Sequence, residues 1–126
     1  MHDVRVGVDL VDIDEFAGRF DGRDAVLAEI FTPHELTYCR AQRHPWRHLA
    51  ARFAAKEALL KALSSGLAGT MRWRDIEVSR DPAGAPGLVV TGATGELLSR
   101  ERLRPSSVSL SHVRACAVAV VVLVSA

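Results

Sequence analysis

The chain has 126 residues and a mass of 13.7 kDa, and 48% of it is hydrophobic, enough for one domain spanning 1–126 whose core needs no disulfide or metal staple. Sixteen Lys and Arg against fifteen Asp and Glu leave a net charge of +1, which excludes the broad basic face of a nonspecific nucleic-acid binder. Cys39 and Cys116 have no metal-ligand spacing and predict reduced thiols in a soluble, cytoplasmic protein, since the start lacks a basic-then-apolar leader and the apolar run 115–124 is about half a membrane span.

Along residues 4–11, Val4, Val6, Val8 and Leu10 alternate with Arg5, Gly7, Asp9 and Val11, the period of a strand. The apolar set is expected on the core side and Asp9 on the side away from it. Asp is disfavoured in strands, and Gly7 leaves open space on the same face, so a group can approach closely there. Short helices are expected over 13–20 and 24–30. Thr32-Pro33-His34-Glu35 then supplies an N-cap, a first-turn proline and a capping-box acid for a third helix. His44-Pro45 ends it, and the longest helix is expected over 47–65, stopped by Gly66.

That long helix carries the chemistry. On a helical wheel Leu49, Phe53, Leu59, Leu60 and Leu63 form an apolar arc, with Ala50, Ala54, Ala58 and Ala62 as a small-residue ridge. Glu57 and Lys61 lie between them at i, i+4 spacing, which by itself also suits an exposed ion pair of about 0.2–0.5 kcal/mol. Arg52 and Lys56 are four apart, alike in charge and inside the apolar arc, so an anion beside them would relieve their repulsion; outward snorkelling of both stems is the alternative. Magnesium is held by one or two protein carboxylates, with waters and substrate oxygens completing its shell, so Asp9 and Glu57 would suffice. An ordinary cap or an arginine pair for Asp9 stays open at this level.

Downstream, strands over 76–79 and 88–91 flank the turn-rich run 81–87 as a hairpin, Thr94 is expected to cap a helix to about 103, and Pro105 ends that helix. Two more strands, 108–112 and 115–124, follow a tight turn, the last expected to be buried on both faces. The class is α+β with a mostly antiparallel sheet. Ser111 and His112 end a strand, within range of a ligand at the sheet's mouth. No G-x-S-x-G supports a serine hydrolase, and His2, His34, His44 and His48 show no zinc spacing.

Three segments in order, Val6-Gly7-Val8-Asp9-Leu10-Val11, Arg52-Phe53-Ala54-Ala55-Lys56-Glu57-Ala58 with Lys61-Ala62, and Val108-Ser109-Leu110-Ser111-His112, resemble the motifs of the small holo-acyl-carrier-protein synthase family of 4′-phosphopantetheinyl transferases. The resemblance implies transfer of phosphopantetheine from coenzyme A to a serine of an apo acyl carrier protein, with release of adenosine 3′,5′-bisphosphate. It implies Mg²⁺ on Asp9 and Glu57, phosphates bound by Arg52, Lys56, Lys61, Ser111 and His112, and adenine contacted by the backbone of Gly84-Ala85-Pro86. Glu57 is the candidate base, directly or through a water, and Lys61 the stabiliser of the leaving group. A homotrimer with sites between subunits is also implied. Two positions depart from the pattern: Glu15 stands where an arginine that docks the acidic carrier is expected, and Ser64 where glycine is common. Arg19, Arg23, Arg40, Arg43 and Arg47 could supply a displaced basic surface, suggesting a nonstandard or specialised carrier of a polyketide or peptide assembly line rather than the ordinary fatty-acid carrier. The alternatives are a Mg²⁺-dependent phosphohydrolase and a noncatalytic coenzyme-A-binding module.

Overall fold

The computed structural model describes residues 3–126, so His2 lies outside the described residues. β1 (Val4–Asp12) pairs antiparallel with β5 (Cys116–Ser125), and β5 pairs on its other side with β4 (Leu103–His112), giving the order β1-β5-β4. β2 (Ile76–Arg80) and β3 (Pro86–Val90) form a separate antiparallel hairpin. Helices α1 (Ile13–Phe20), α2 (Asp24–Ile30), α3 (Pro33–Arg40), α4 (Pro45–Ala62) and α5 (Gly92–Arg100) complete an α+β fold. Among the described residues no helix is long and apolar enough to cross a membrane.

α4 is the organising element. It packs chiefly on β1 and β5 and is buried around most of its circumference, from Leu49 to Ala62, rather than on the single arc expected. Such a helix suits the core centre, where each fully buried Leu contributes about 1.5–3 kcal/mol. Its C-terminal half packs with Ile76, Val78, Leu98, Val121 and Leu123. Its N-terminal half packs with α1 to α3, where Phe16 meets Phe20, Phe31, Trp46 and Phe53 at ring separations of 4.9–6.4 Å.

The orientation of β1 is the reverse of the one its alternation suggests. Val4, Val6, Val8 and Leu10 are 66%, 61%, 52% and 67% exposed, while Gly7 is buried against α4 and Asp9 shares its face. The reason is distance. A Cβ at Gly7 would overlap the Ala58 carbonyl oxygen and sit 2.8 Å from the Ala62 amide nitrogen, so only a glycine face lets the strand lie this close to the helix. The same register makes β5 two-sided. Ala117, Ala119, Val121 and Leu123 are buried under α4, whereas Val118, Val120, Val122 and Val124 lie beside the β1 valines on the outer face and are only half-buried, contrary to a strand covered on both sides.

Other boundaries differ for local reasons. α4 begins with Pro45 at its first turn, where a missing N–H is harmless, and ends before Ser64 rather than at Gly66. Ser64 adopts φ +56° and donates from its N–H to the Lys61 carbonyl at 3.0 Å, while Ser65 donates to Leu60 at 2.9 Å, a Schellman closure. Thr94 is not a cap: it is buried inside α5, its hydroxyl donating to Asp75 at 3.0 Å, and Thr91 precedes the helix. α5 ends at Arg100 and Pro105 lies within β4 at a register shift, not after a helix running to Leu103. α3 begins as expected, with Thr32 and Glu35 exchanging capping-box hydrogen bonds.

Candidate active site

Asp9 of β1 and Glu57 of α4 line one open cavity of about 470 Å³, together with Asp12, Glu15 and Arg19. Lys61 crosses from helix to strand: its Nζ donates to Asp9 Oδ1 at 2.8 Å and to the Val8 carbonyl at 3.2 Å. The i, i+4 spacing suggests Glu57 as its partner, but the ion pair is made with Asp9, because Gly7 brings β1 to within that reach. Burial, and next the negative charge of Asp9, push the Glu57 carboxyl above its usual range, with Lys61 offsetting part of this. The hydrogen bond to Asp9 holds the Lys61 ammonium above the ordinary lysine range. A proton-hungry carboxylate and a neighbouring acid therefore share one opening, with a firmly charged amine bonded to that acid.

Two nearby carboxylates that raise each other's energy form an oxygen donor set suited to a hard divalent cation. Among the described residues no group of three or more His, Cys, Asp and Glu side chains is gathered to hold a metal. Two carboxylates are enough for magnesium when waters and substrate oxygens supply the rest.

A second cluster lies around α4 from the first. Five residues of helix separate Arg52 from Glu57, a rotation of about 140°. The Arg52 side chain is buried; Nη1 donates to the His48 carbonyl at 3.2 Å and Nη2 has no hydrogen-bond partner. The guanidiniums of Arg52 and Arg80 both lie over the Tyr38 ring, at 4.6 and 4.8 Å. The rings of His48 and His112 are 5.2 Å apart. Burial first, then the positive charges of Arg52, His112, Arg80 and Arg47, holds the His48 imidazole below its normal range. An orphaned buried guanidinium nitrogen among converging cations is the environment an anion would satisfy. The Gly84-Ala85-Pro86 segment adjoins it: Gly84, at φ +92°, turns the chain beside the Arg80 guanidinium, and Pro86 pairs with Arg80 across the hairpin.

Two expected phosphate ligands are placed elsewhere. Lys56 is wholly buried; its ammonium pairs with Glu35 at 2.8 Å, donates to the carbonyls of Ile76 and Trp73, and lies 5.5 Å from the Phe31 ring centre. It ties α3, α4 and β2 together and has no surface to offer a phosphate. Ser111 lies on the outer face beside Val118, opposite to His112, because consecutive strand residues alternate. Glu35 as the partner of Lys56, and Tyr38, His48 and Arg80 around Arg52, escape the sequence reading. His48 could have been found from its i, i+4 spacing to Arg52, whereas Tyr38 and Arg80 arrive through tertiary packing that leaves no local signal.

The family model described as the 4′-phosphopantetheinyl transferase superfamily matches residues 5–120. A holo-[acyl-carrier-protein] synthase from Geotalea daltonii is 45% identical over 119 residues, covering 93% of this chain and 94% of that protein. Among solved structures, an acyl carrier protein synthase from Mycobacterium tuberculosis is 39% identical with a TM-score of 0.75, covering 97% of each chain. The Chronobacterium ammoniagenes ACPS-CoA complex is 28% identical with a TM-score of 0.86, covering 98% of each. By the family model over most of its length and by these relatives, the chain belongs to the 4′-phosphopantetheinyl transferase superfamily and is a transferase of its holo-[acyl-carrier-protein] synthase group.

Proposed function

We propose that the protein transfers 4′-phosphopantetheine from coenzyme A to a serine hydroxyl of an apo acyl carrier protein, with magnesium, releasing adenosine 3′,5′-bisphosphate. The observation that carries this is the opening shared by Asp9, from a strand, and Glu57, from a helix, with Lys61 bridged to Asp9. The solved relatives support the donor: one carries coenzyme A in its description, and a Bacillus anthracis synthase, 28% identical with a TM-score of 0.80, is described in complex with CoA (3′,5′-ADP).

Each residue's task follows from its surroundings. Glu57, with its raised proton affinity, takes the serine proton, directly or through a water. Lys61, kept cationic by Asp9, offsets the charge that builds on the departing phosphate. Asp9 and Glu57 would hold the magnesium, which when bound supplies charge neutralisation at the donor's diphosphate. Arg52 and His112, with His48 and Arg80 beside them, receive nucleotide phosphate, and the backbone of Gly84 to Pro86 receives adenine.

The two clusters lie on different sides of α4, with β5 between the strands that carry Asp9 and His112. One chain does not bring them together. We therefore place the complete site between subunits of a homotrimer joined through the outer valine face. The thiols of Cys39 and Cys116 are unpaired, which suits a cytoplasmic setting. The test is mass spectrometry of apo fatty-acid, polyketide and peptide carriers incubated with the protein, coenzyme A and Mg²⁺. The phosphopantetheine increment on the carrier serine is expected, abolished by chelation and by Asp9→Asn. Phosphate release without carrier labelling would refute transfer and support a hydrolase.

A further inference from the structure

α3 meets α4 in two successive rungs, and the rungs treat their cations in opposite ways. In the first, Lys56 of α4 is matched by the Glu35 carboxylate at 2.8 Å, and Glu35 also accepts from the Thr32 and Val78 amides at 2.9 and 3.0 Å. Charge and donors are consumed there. One turn further along α3 and one turn back along α4, Arg52 meets the ring of Tyr38 instead, its guanidinium carbon 4.6 Å from the ring centre. The same ring takes the Arg80 guanidinium at 4.8 Å, carried in by the end of β2. Among the described residues neither arginine forms a salt bridge. Asp81, which follows Arg80, is turned into its own loop, where it accepts from the Ala85 amide at 2.8 Å.

What faces a buried cation decides what that cation can still do. A carboxylate would hold the two guanidiniums but cancel their charge and occupy their donors. The face of an aromatic ring attracts a cation through its quadrupole and carries no net charge, so position is fixed while charge and N–H groups stay free. Nη2 of Arg52 shows this: it is buried without a hydrogen-bond partner, although Nη1 donates to the His48 carbonyl at 3.2 Å. Tyr38 is itself held. Its ring packs edge-on to His48 at 6.1 Å, and its carbonyl accepts from Gln42 Nε2 at 3.1 Å. Two like charges repel, so without the ring the arginines would spread, and an anion would have to regather them, which weakens binding.

We propose that Tyr38 is a positioning residue for the donor nucleotide: its ring holds Arg52 and Arg80 together with their charge uncancelled, so that both meet the nucleotide phosphate already aimed. The proposal rests on the reading that this cluster receives that phosphate, and it names the side chain that sets the affinity by acting through the two arginines. An interaction of this kind holds the donor equally before and during reaction, so it governs KM and not kcat.

The test compares Y38F, Y38L and Y38E by calorimetric titration with adenosine 3′,5′-bisphosphate and, separately, by transfer kinetics with coenzyme A, Mg²⁺ and apo carrier. Y38F keeps the ring and should bind within about twofold of the parent. Y38L keeps apolar bulk without the quadrupole and should raise the Kd for the bisphosphate and the KM for coenzyme A about fivefold or more. Its kcat and its KM for the carrier should stay within about twofold. Y38E keeps the arginines in place by pairing with them and should bind more weakly still, with a melting temperature no lower than that of Y38L; a purely structural role gives the opposite order of binding. Y38L or Y38E binding as the parent does overturns the proposal, as does a fall in kcat with KM unchanged or a parent that does not bind the bisphosphate. Tyr38-dependent binding without any carrier labelling would refute the transfer reading and leave the proposal standing, and transfer by the parent with Y38L unchanged would do the reverse.

Discussion

Replacing Gly7 by Ala tests the contact on which the site's geometry depends. The added methyl would overlap the Ala58 carbonyl oxygen and lie 2.8 Å from both the Ala58 carbonyl carbon and the Ala62 amide nitrogen. Carbon contacts are comfortable at about 3.5–4.0 Å, so β1 and α4 must separate by about 1 Å. No side chain can turn aside, because the obstruction is backbone in a helix buried on most sides. Overpacking of this kind costs about 3 kcal/mol or more, a fall in melting temperature of roughly 10 °C for a chain of this length. Asp9 is the next residue on the same face and Glu57 precedes Ala58, so the separation also stretches the Lys61 bridge to Asp9. A 1 Å misplacement of reacting groups can lower turnover about 100-fold. Thermal unfolding by circular dichroism and carrier-labelling kinetics are the assays. A melting temperature within about 2 °C of the parent, with turnover intact, would refute the claim that a glycine contact sets the carboxylate spacing.

Lys56→Met should destabilise by about 3 kcal/mol or more, since it leaves Glu35 charged and buried, while the folded protein keeps its KM for coenzyme A; a large KM change with little loss of melting temperature would return Lys56 to the phosphate site. Ser64→Gly should add up to about 1 kcal/mol by removing a Cβ from a left-handed backbone position, read as a higher denaturation midpoint; no gain would contradict that. Val8→Asp, on the exposed face of β1, should leave the far-ultraviolet spectrum native but give monomers in sedimentation and little transfer, whereas a fully active variant would remove the valine face as the subunit contact. Because the folded state lowers the His48 proton affinity, it binds fewer protons than the unfolded chain as pH falls below about 6.5, and stability is lost in that window. His48→Gln should flatten this part of the stability profile in chemical denaturation, and identical pH slopes for the two proteins would argue against it.

Local chemistry made much of this legible. Thr32-Pro33-His34-Glu35 marks a helix start because its capping atoms are three residues apart, and the strand-helix-strand motifs around Asp9, Glu57 and His112 are contiguous residues whose types persist whatever the packing. Periodicity also located β1 and α4. It could not say which face of β1 turns inward, because Val8 and Gly7 are both acceptable on a core side until the neighbour's distance is known. Nor could it separate Lys56 from Lys61: both are lysines on one helix, yet one closes a buried pair with Glu35 and the other bridges to Asp9.

The sequence by itself therefore determined the element types and the family whose motifs the chain carries, since these depend on neighbours within a few positions. Tertiary structure alone decided that glycine, not valine, meets the helix, that Asp9 shares an opening with Glu57, and that Arg52 joins Tyr38, His48, Arg80 and His112 in a separate cluster. Those outcomes depend on distances between segments up to about a hundred residues apart, which close packing sets and local patterning does not encode.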